Sequence, residues 1–215
     1  MKFFFTLLAI VLLLGCSSNY LYDFRVVEPT VVETLSPHWD AGPTYQIRYH
    51  IVMDDGHPLM LSRAIWLMEQ TESLFYPMKV DFVFSGASYY DDQFRCHLET
   101  RNVLTIYTPD TYSGNAGYGT FPWQGPPSMI IYNLYERDPS DFAHEIGHNL
   151  FLYHAFAEDG VDDTPVNLND SFGHLSNNIM CYPYVQWYFQ RFTAGQINRM
   201  KFELTLPARK GLVSP

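Results

Sequence analysis

Apolar and polar positions alternate along Tyr45-Gln46-Ile47-Arg48-Tyr49-His50-Ile51-Val52, a period of two that predicts a strand. After Asp54-Asp55-Gly56 the period lengthens. Leu61, Ala64, Ile65, Met68 and then Leu74-Phe75 recur at helical spacing, which predicts an amphipathic helix over roughly 58–75 with its aromatic and methionine side chains in the core. Residues 79–84 and 103–107 read as two further strands, 115–122 as a glycine-containing loop, and 128–132 as a fourth strand. Pro139 opens a second helix with Asp138 as its N-cap, and Thr193 caps a last one. Strand, helix, three strands and helix predict a small α/β or α+β sheet domain.

The first residues follow a different pattern. Lys2 supplies a positive end, and 3–14 form an apolar run of twelve residues broken only by Thr6, too short to span a bilayer permanently. The run ends in Leu13-Leu14-Gly15-Cys16-Ser17-Ser18, which resembles the lipobox of bacterial lipoproteins. The resemblance implies a signal peptide over 1–15, acylation of Cys16, and export on a lipid anchor to the cell envelope or surface. The alternative is an ordinary cleaved signal. Residues 16–43 hold Pro29, Pro37 and Pro43 without clean periodicity and read as a tether or short pro-segment, leaving 44–215 as one catalytic-sized domain. Without Lys2 the chain carries 12 basic against 23 acidic residues, a net −11 that argues against nucleic acid or anionic headgroups as partners. Cys96 and Cys181 are then the only thiols apart from Cys16, enough for one disulfide and no framework of several.

The chemistry concentrates in His144-Glu145-Ile146-Gly147-His148. On a helix, residues i and i+4 lie about 40° apart around the axis and roughly 6 Å along it, so His144 and His148 present two imidazoles to one zinc ion. Glu145 leans over the open coordination position, where a general base for a zinc-bound water belongs. If the helix ran on, His154 would sit roughly 9 Å beyond His148 and about 120° around the axis, out of reach of the same metal. The chain must turn after about Asn149 to fold His154 back. Extended zinc motifs use glycine three residues after the second histidine, and here that residue is Phe151. Either Phe151 takes the left-handed conformation, its ring filling the lower half of the domain, or the turn moves to Asn149; the spacing from His148 to His154, which matches those motifs without insertion or deletion, favours Phe151. If the turn fails, Asp159 or Asp162 becomes the third ligand. A non-enzymatic lipoprotein that binds surface partners is the other rival, although a binding module has no need of Glu145. The oxygen-rich stretch Glu158-Asp159-Gly160-Val161-Asp162-Asp163 is a candidate Ca2+ loop, with a solvated turn as the commoner meaning. His38, His50, His57, His97 and His174 lack partners at ligand spacing and are expected in surface or satisfied polar roles.

Taken together, the run from His144 to His154, Gly160-Val161-Asp162-Asp163-Thr164-Pro165, Asn178-Ile179-Met180-Cys181-Tyr182 and Phe192-Thr193-Ala194-Gly195-Gln196-Ile197-Asn198-Arg199-Met200 resemble the metzincin metalloproteases, and within them the pappalysin family, over about 44–205. Gly117-Tyr118-Gly119-Thr120-Phe121-Pro122 resembles the family's loop ahead of the last sheet strand. The resemblance implies a metzincin-like zincin: a twisted sheet, a backing helix and the active-site helix above a cleft, and a small irregular C-terminal part with a terminal helix. It assigns His144, His148 and His154 as zinc ligands and Glu145 as general base and acid. It makes Met180 the methionine of the turn beneath the metal and Tyr182 a phenol that stabilises the tetrahedral intermediate. The implied activity is that of a zinc endopeptidase on peptide or protein substrates.

Overall fold

The structure is a computed structural model that describes residues 45–53, 58–89, 101–109, 115–157, 159–164, 177–182 and 190–214. The expected signal peptide, Cys16, the 16–43 segment, Cys96, Glu158, and His38, His57, His97 and His174 lie outside the described residues.

The predicted strands and helices form one mixed sheet with two helices packed on each other and on it. The strands are β1 (Tyr45–Met53), β2 (Val80–Tyr89), β3 (Leu104–Thr108), β4 (Gly117–Gly119), β5 (Ser128–Ile131) and β6 (Val213–Ser214). The sheet order is β2-β1-β3-β5-β4, with β6 paired to β1 beside Gln46 and Ile47. β1 runs parallel to both β2 and β3, and β3 parallel to β5; β4 alone on this path runs antiparallel to its neighbour. Because β1 is central, its alternation gives way to the buried run Ile51-Val52-Met53. Helix α1 (Pro58–Glu72) and helix α2 (Pro139–Asn149) pack on each other, and Thr71 Oγ1 at the end of α1 donates to Pro139 O at 3.1 Å. Ile47, Ile51, Leu67, Met68, Ile106, Met129 and Phe142 fill the core between sheet and helices.

Three differences from the sequence pattern have local causes. The helix expected to Phe75 ends at Glu72 and tightens into a 3₁₀ segment, Ser73–Met78, that carries Pro77. Strand β2, expected to end at Phe84, continues to Tyr89 through a bulge: Tyr49 pairs with Phe84 and His50 with Gly86, leaving Ser85 to donate to Tyr49 O at 2.7 Å. His50 is satisfied beside it, its Nε2 lying 3.0 Å from Ser88 Oγ. The expected loop 115–122 contains β4, whose glycines belong to the site described below.

Between α2 and α3 (Ala194–Glu203) the described residues form no helix or strand of the sheet. Among the described residues no helix is long and apolar enough to cross a membrane.

Candidate metal centre and active site

Helix α2 starts with a capping box. Asp138 Oδ1 accepts from Ser140 N at 2.7 Å and Asp141 Oδ2 from Asp138 N at 3.0 Å. Its end is the more instructive terminus. Leu152 N donates to Gly147 O at 2.9 Å and Phe151 N to His148 O at 3.1 Å, the paired bonds of a Schellman turn. The left-handed residue that such a turn needs is Phe151, at φ 70°, while Asn149 stays helical. The spacing is therefore that of the glycine-containing motif, with Phe151 carrying the strain. Its ring does not fill the interior as expected. It is half-buried, edge-on to Trp123 at 5.3 Å and under the Arg199 guanidinium at 4.3 Å.

This turn has two consequences for the histidines. It returns His154 to α2, where its Nε2 lies 3.2 Å from His144 Nε2. It also aims Leu152 O at His148 Nδ1, 2.8 Å away. His144 Nδ1 meets a carbonyl from a distant turn, Ile179 O at 2.8 Å. A carbonyl only accepts, so both Nδ1 atoms carry the proton and both Nε2 atoms present lone pairs. Those lone pairs face each other at 3.1 Å. Burial lowers the pKa of His144 to about 3 and of His148 to about 4, with the neighbouring histidines adding to the effect, so a proton is a poor guest there. Burial also lowers His154.

Zinc fits this donor set. Bonds of ~2.0–2.1 Å in a tetrahedral site put nitrogens about 3.3–3.4 Å apart, close to the spacings found. Among the described residues, His144, His148 and His154 form the only cluster of three or more potential ligands. Neither Asp159 nor Asp162 joins it. Asp159 is buried, with Oδ1 accepting from Val161 N at 2.9 Å, and Asp162 is exposed. The expected Ca2+ loop finds no support either. Asp163 is committed to α3, accepting from Thr193 Oγ1 at 2.7 Å and Gly195 N at 2.8 Å.

Glu145 is buried against β4, with a backbone hydrogen bond from Gly119. A Cβ on Gly117 would meet Glu145 Oε1 at 2.8 Å, and one on Gly119 would collide with the Glu145 carbonyl. The glycines that read as a loop signal are thus what lets an edge strand lie on the carboxylate. Burial, with the Asp141 charge beside it, raises Glu145 to about 8.

Met180 is fully buried beneath α2; a Cβ on Gly147 would meet its Sδ at 2.5 Å. The Met180 turn ties His144 to the segment after His154, since Ile179 O holds His144 and Met180 O accepts from Ala155 N at 2.9 Å. The Tyr182 ring is 42% exposed, 5.2 Å from His154 and 6.5 Å from His144.

Several supports were not legible as functional residues. Gln196 in α3 is fully buried and exchanges two amide bonds with Asn178, at 3.0 and 3.2 Å; Asn178 in turn accepts from Met180 N at 2.8 Å. Asn149 Nδ2 ties α2 to Ser128 O at 3.0 Å. Arg209 is fully buried, donating to Asn149 O at 2.8 Å and Gly125 O at 3.0 Å, so the C-terminal segment braces the end of α2. Nothing in the spacing around Arg209 marks it. The Gln196 role had a signal in the Thr193-to-Gln196 capping box spacing.

No protein-family model and no curated protein sequence matches the chain. Solved structures do. Mature mirolysin of Tannerella forsythia, in complex with a cleaved peptide, is similar at a TM-score of 0.55 and 17% identity, over 80% of this chain and 96% of that one. A chaperone–substrate complex is similar at 0.52 and 15%, over 78% of this chain and 38% of that one. Metalloproteinase-II of Bacteroides fragilis follows at 0.45 and 14%, over 76% and 55%. The mixed α/β, metzincin-like fold expected from the motifs is the fold of this chain.

Proposed function

We propose that this chain is a zinc-dependent endopeptidase of metzincin type, closest in its motifs to the pappalysins. The observation that carries the reading is the pair of Nε2 lone pairs 3.1 Å apart, each fixed by a proton committed at Nδ1, beside a buried carboxylate. His144, His148 and His154 would hold the ion. Bound there, zinc supplies Lewis acidity, lowering the pKa of a water toward about 7 and polarising a carbonyl.

The chain's own groups do the rest. Glu145 takes the proton from the attacking water as its oxygen adds to the scissile carbonyl carbon. It then delivers that proton to the leaving nitrogen as the C–N bond breaks. In the metal-free protein its carboxyl titrates near 8, and a cation beside it pulls that value down, so that it acts as a base at neutral pH. The Tyr182 phenol donates to the substrate oxygen as negative charge develops. The peptide lies along β4, the last strand of the sheet path, and adds its backbone to the edge. The mirolysin structure with its cleaved peptide supports a peptide substrate.

Substituting Glu145→Gln tests the reading. Zinc content should stay near one per chain while cleavage of a peptide library falls by three orders of magnitude or more; retained cleavage would refute it. The sequence around Gly15-Cys16 supports export on a lipid anchor. Cys16→Ser should release the protein from membranes, and a wild-type chain that takes up no labelled fatty acid would exclude acylation.

A further inference from the structure

Beyond β4 the chain runs into an aromatic shelf that the proposed chemistry does not use. Phe121 tilts against the His148 ring at 5.1 Å and stacks on Trp123 at 4.5 Å. Tyr153, from the turn before His154, lies 5.2 Å from Phe121 and 6.1 Å from Trp123. The far side of Trp123 meets Phe151, and these two rings line a groove of about 470 Å³ continued by Arg199 and Phe202. The shelf is open to solvent: Trp123 is 58% exposed and Phe202 61%. Hydrogen bonds cross-link its loop, with Gln124 Oε1 accepting from Phe121 N at 2.6 Å and Gln124 Nε2 donating to Tyr118 OH at 2.7 Å. Gly125 O is pinned by buried Arg209.

A solvent-facing cluster of aromatic rings continuous with His148 is unlike the scattered single apolar residues of an ordinary surface. Its faces offer stacked and edge-on contacts to another ring. We infer that Phe121, Trp123, Tyr153 and Phe151 form a specificity subsite that takes a large apolar or aromatic side chain of the same peptide whose backbone lies on β4. The assignment rests on the peptidase reading. Continuity fixes the occupant, because a peptide extended along Gly117–Gly119 passes next over Phe121 and Trp123. Through Phe121, Trp123 lies no more than about 10 Å from His148, the span of about three extended residues. The recognised side chain therefore sits within about four residues of the cleaved bond.

Two peptides that differ only by Phe or Ala at that position test the inference, once a library digest has located the preferred position. The wild-type zinc protein should cleave the Phe peptide with a KM about tenfold lower. Trp123→Ala should bring the Phe-to-Ala ratio close to one, and Trp123→Phe should restore most of it. A second arm reads binding alone, as Kd for the uncleaved peptides on the zinc-loaded Glu145→Gln protein by calorimetry. The same tenfold preference, lost with Trp123→Ala, is expected there. If the wild type cleaves peptides but shows no apolar preference, or keeps its preference in Trp123→Ala, the subsite is wrong while the peptidase reading stands. If nothing is cleaved, yet peptides carrying Phe at each position in turn bind with a preference that Trp123→Ala abolishes, the subsite stands and the peptidase reading falls. Equal binding of both peptides by the inactive protein overturns the subsite outright.

Discussion

His144 and His148 sit one turn apart on the same helix, yet the carbonyls that fix them come from different kinds of structure. Leu152 O reaches His148 from only four residues away, through the turn that ends α2. Ile179 O reaches His144 from 35 residues away, out of an irregular segment. The first is secured by backbone hydrogen bonds of the helix end. The second adds buried polar side chains to its backbone bonds: Asn178 shapes the turn and Gln196 of α3 clamps Asn178. The same contrast divides the molecule. Residues of the sheet and its helices are held by ladders and an apolar core, and in the part below the buried side chains of Ile179, Met180, Phe192, Ile197 and Met200 share that core with a few buried polar groups. In such a part, a single polar residue matters as much as a core residue matters above.

Arg209 offers the harshest test of that contrast. Arg209→Met removes the donor to Asn149 O and Gly125 O, and leaves buried Glu203 without its neighbouring charge. The expected cost is roughly 3–5 kcal/mol in denaturant unfolding. Ile106→Val in the sheet core should cost only about 0.5–1.5 kcal/mol. A smaller loss for Arg209→Met than for Ile106→Val would reverse the comparison. Gln196→Ala should follow, at about 1–3 kcal/mol, since it leaves Asn178 partly unsatisfied. It should also weaken zinc binding by about tenfold through the His144 side, because groups that orient ligands tune affinity.

Acid and base sites in the centre set a pH optimum for the metal-free protein. The folded pKa values of His144 and His148 are lowered, so unfolded chains bind protons that the fold refuses. That stability is present above about 6.5 and is lost as pH falls toward 4. Burial raises Asp141 to about 6 and Glu145 to about 8, which acts the other way: stability is lost as pH rises from about 4 through these values. Thermal unfolding of metal-free protein should therefore peak between about pH 4.5 and 6.5, and zinc should shift the peak to neutral pH by favouring ionised Glu145. An optimum that ignored zinc would count against Glu145 lying beside the ion.

Phe151→Gly should give the smallest effect. Glycine relieves strain of about 1–2 kcal/mol at φ 70° but forfeits ring contacts with Trp123 and Arg199. With the ring only half-buried the two nearly cancel, so stability should change by less than about 1 kcal/mol, with zinc retained.

The regular half was largely legible because its signals are local. Alternation gave β1, helical spacing gave α1, and Asp138-Pro139 and Thr193 gave the two capped helix starts. The three histidines were legible because i, i+4 spacing fixes two of them on any helix. The spacing from His148 to His154 favoured Phe151 over Asn149 as the strained residue, and φ 70° at Phe151 agrees. Strand β4 was missed because Gly117 and Gly119 carry no alternation; their purpose, room for Glu145, exists only in three dimensions. Arg209 was illegible for the same reason: its partners lie 60 and 84 residues away in sequence.

The turn at Phe151 brings His154, and neither Asp159 nor Asp162, beside His144 and His148. Zinc titration of wild-type, His154→Ala and Asp159→Asn proteins against a competing chelator measures this directly. The structure predicts one tight site in the wild type, an affinity loss of a hundredfold or more in His154→Ala, and near-wild-type affinity in Asp159→Asn. His154→Ala binding zinc as tightly as the wild type, while Asp159→Asn lost it, would contradict the account.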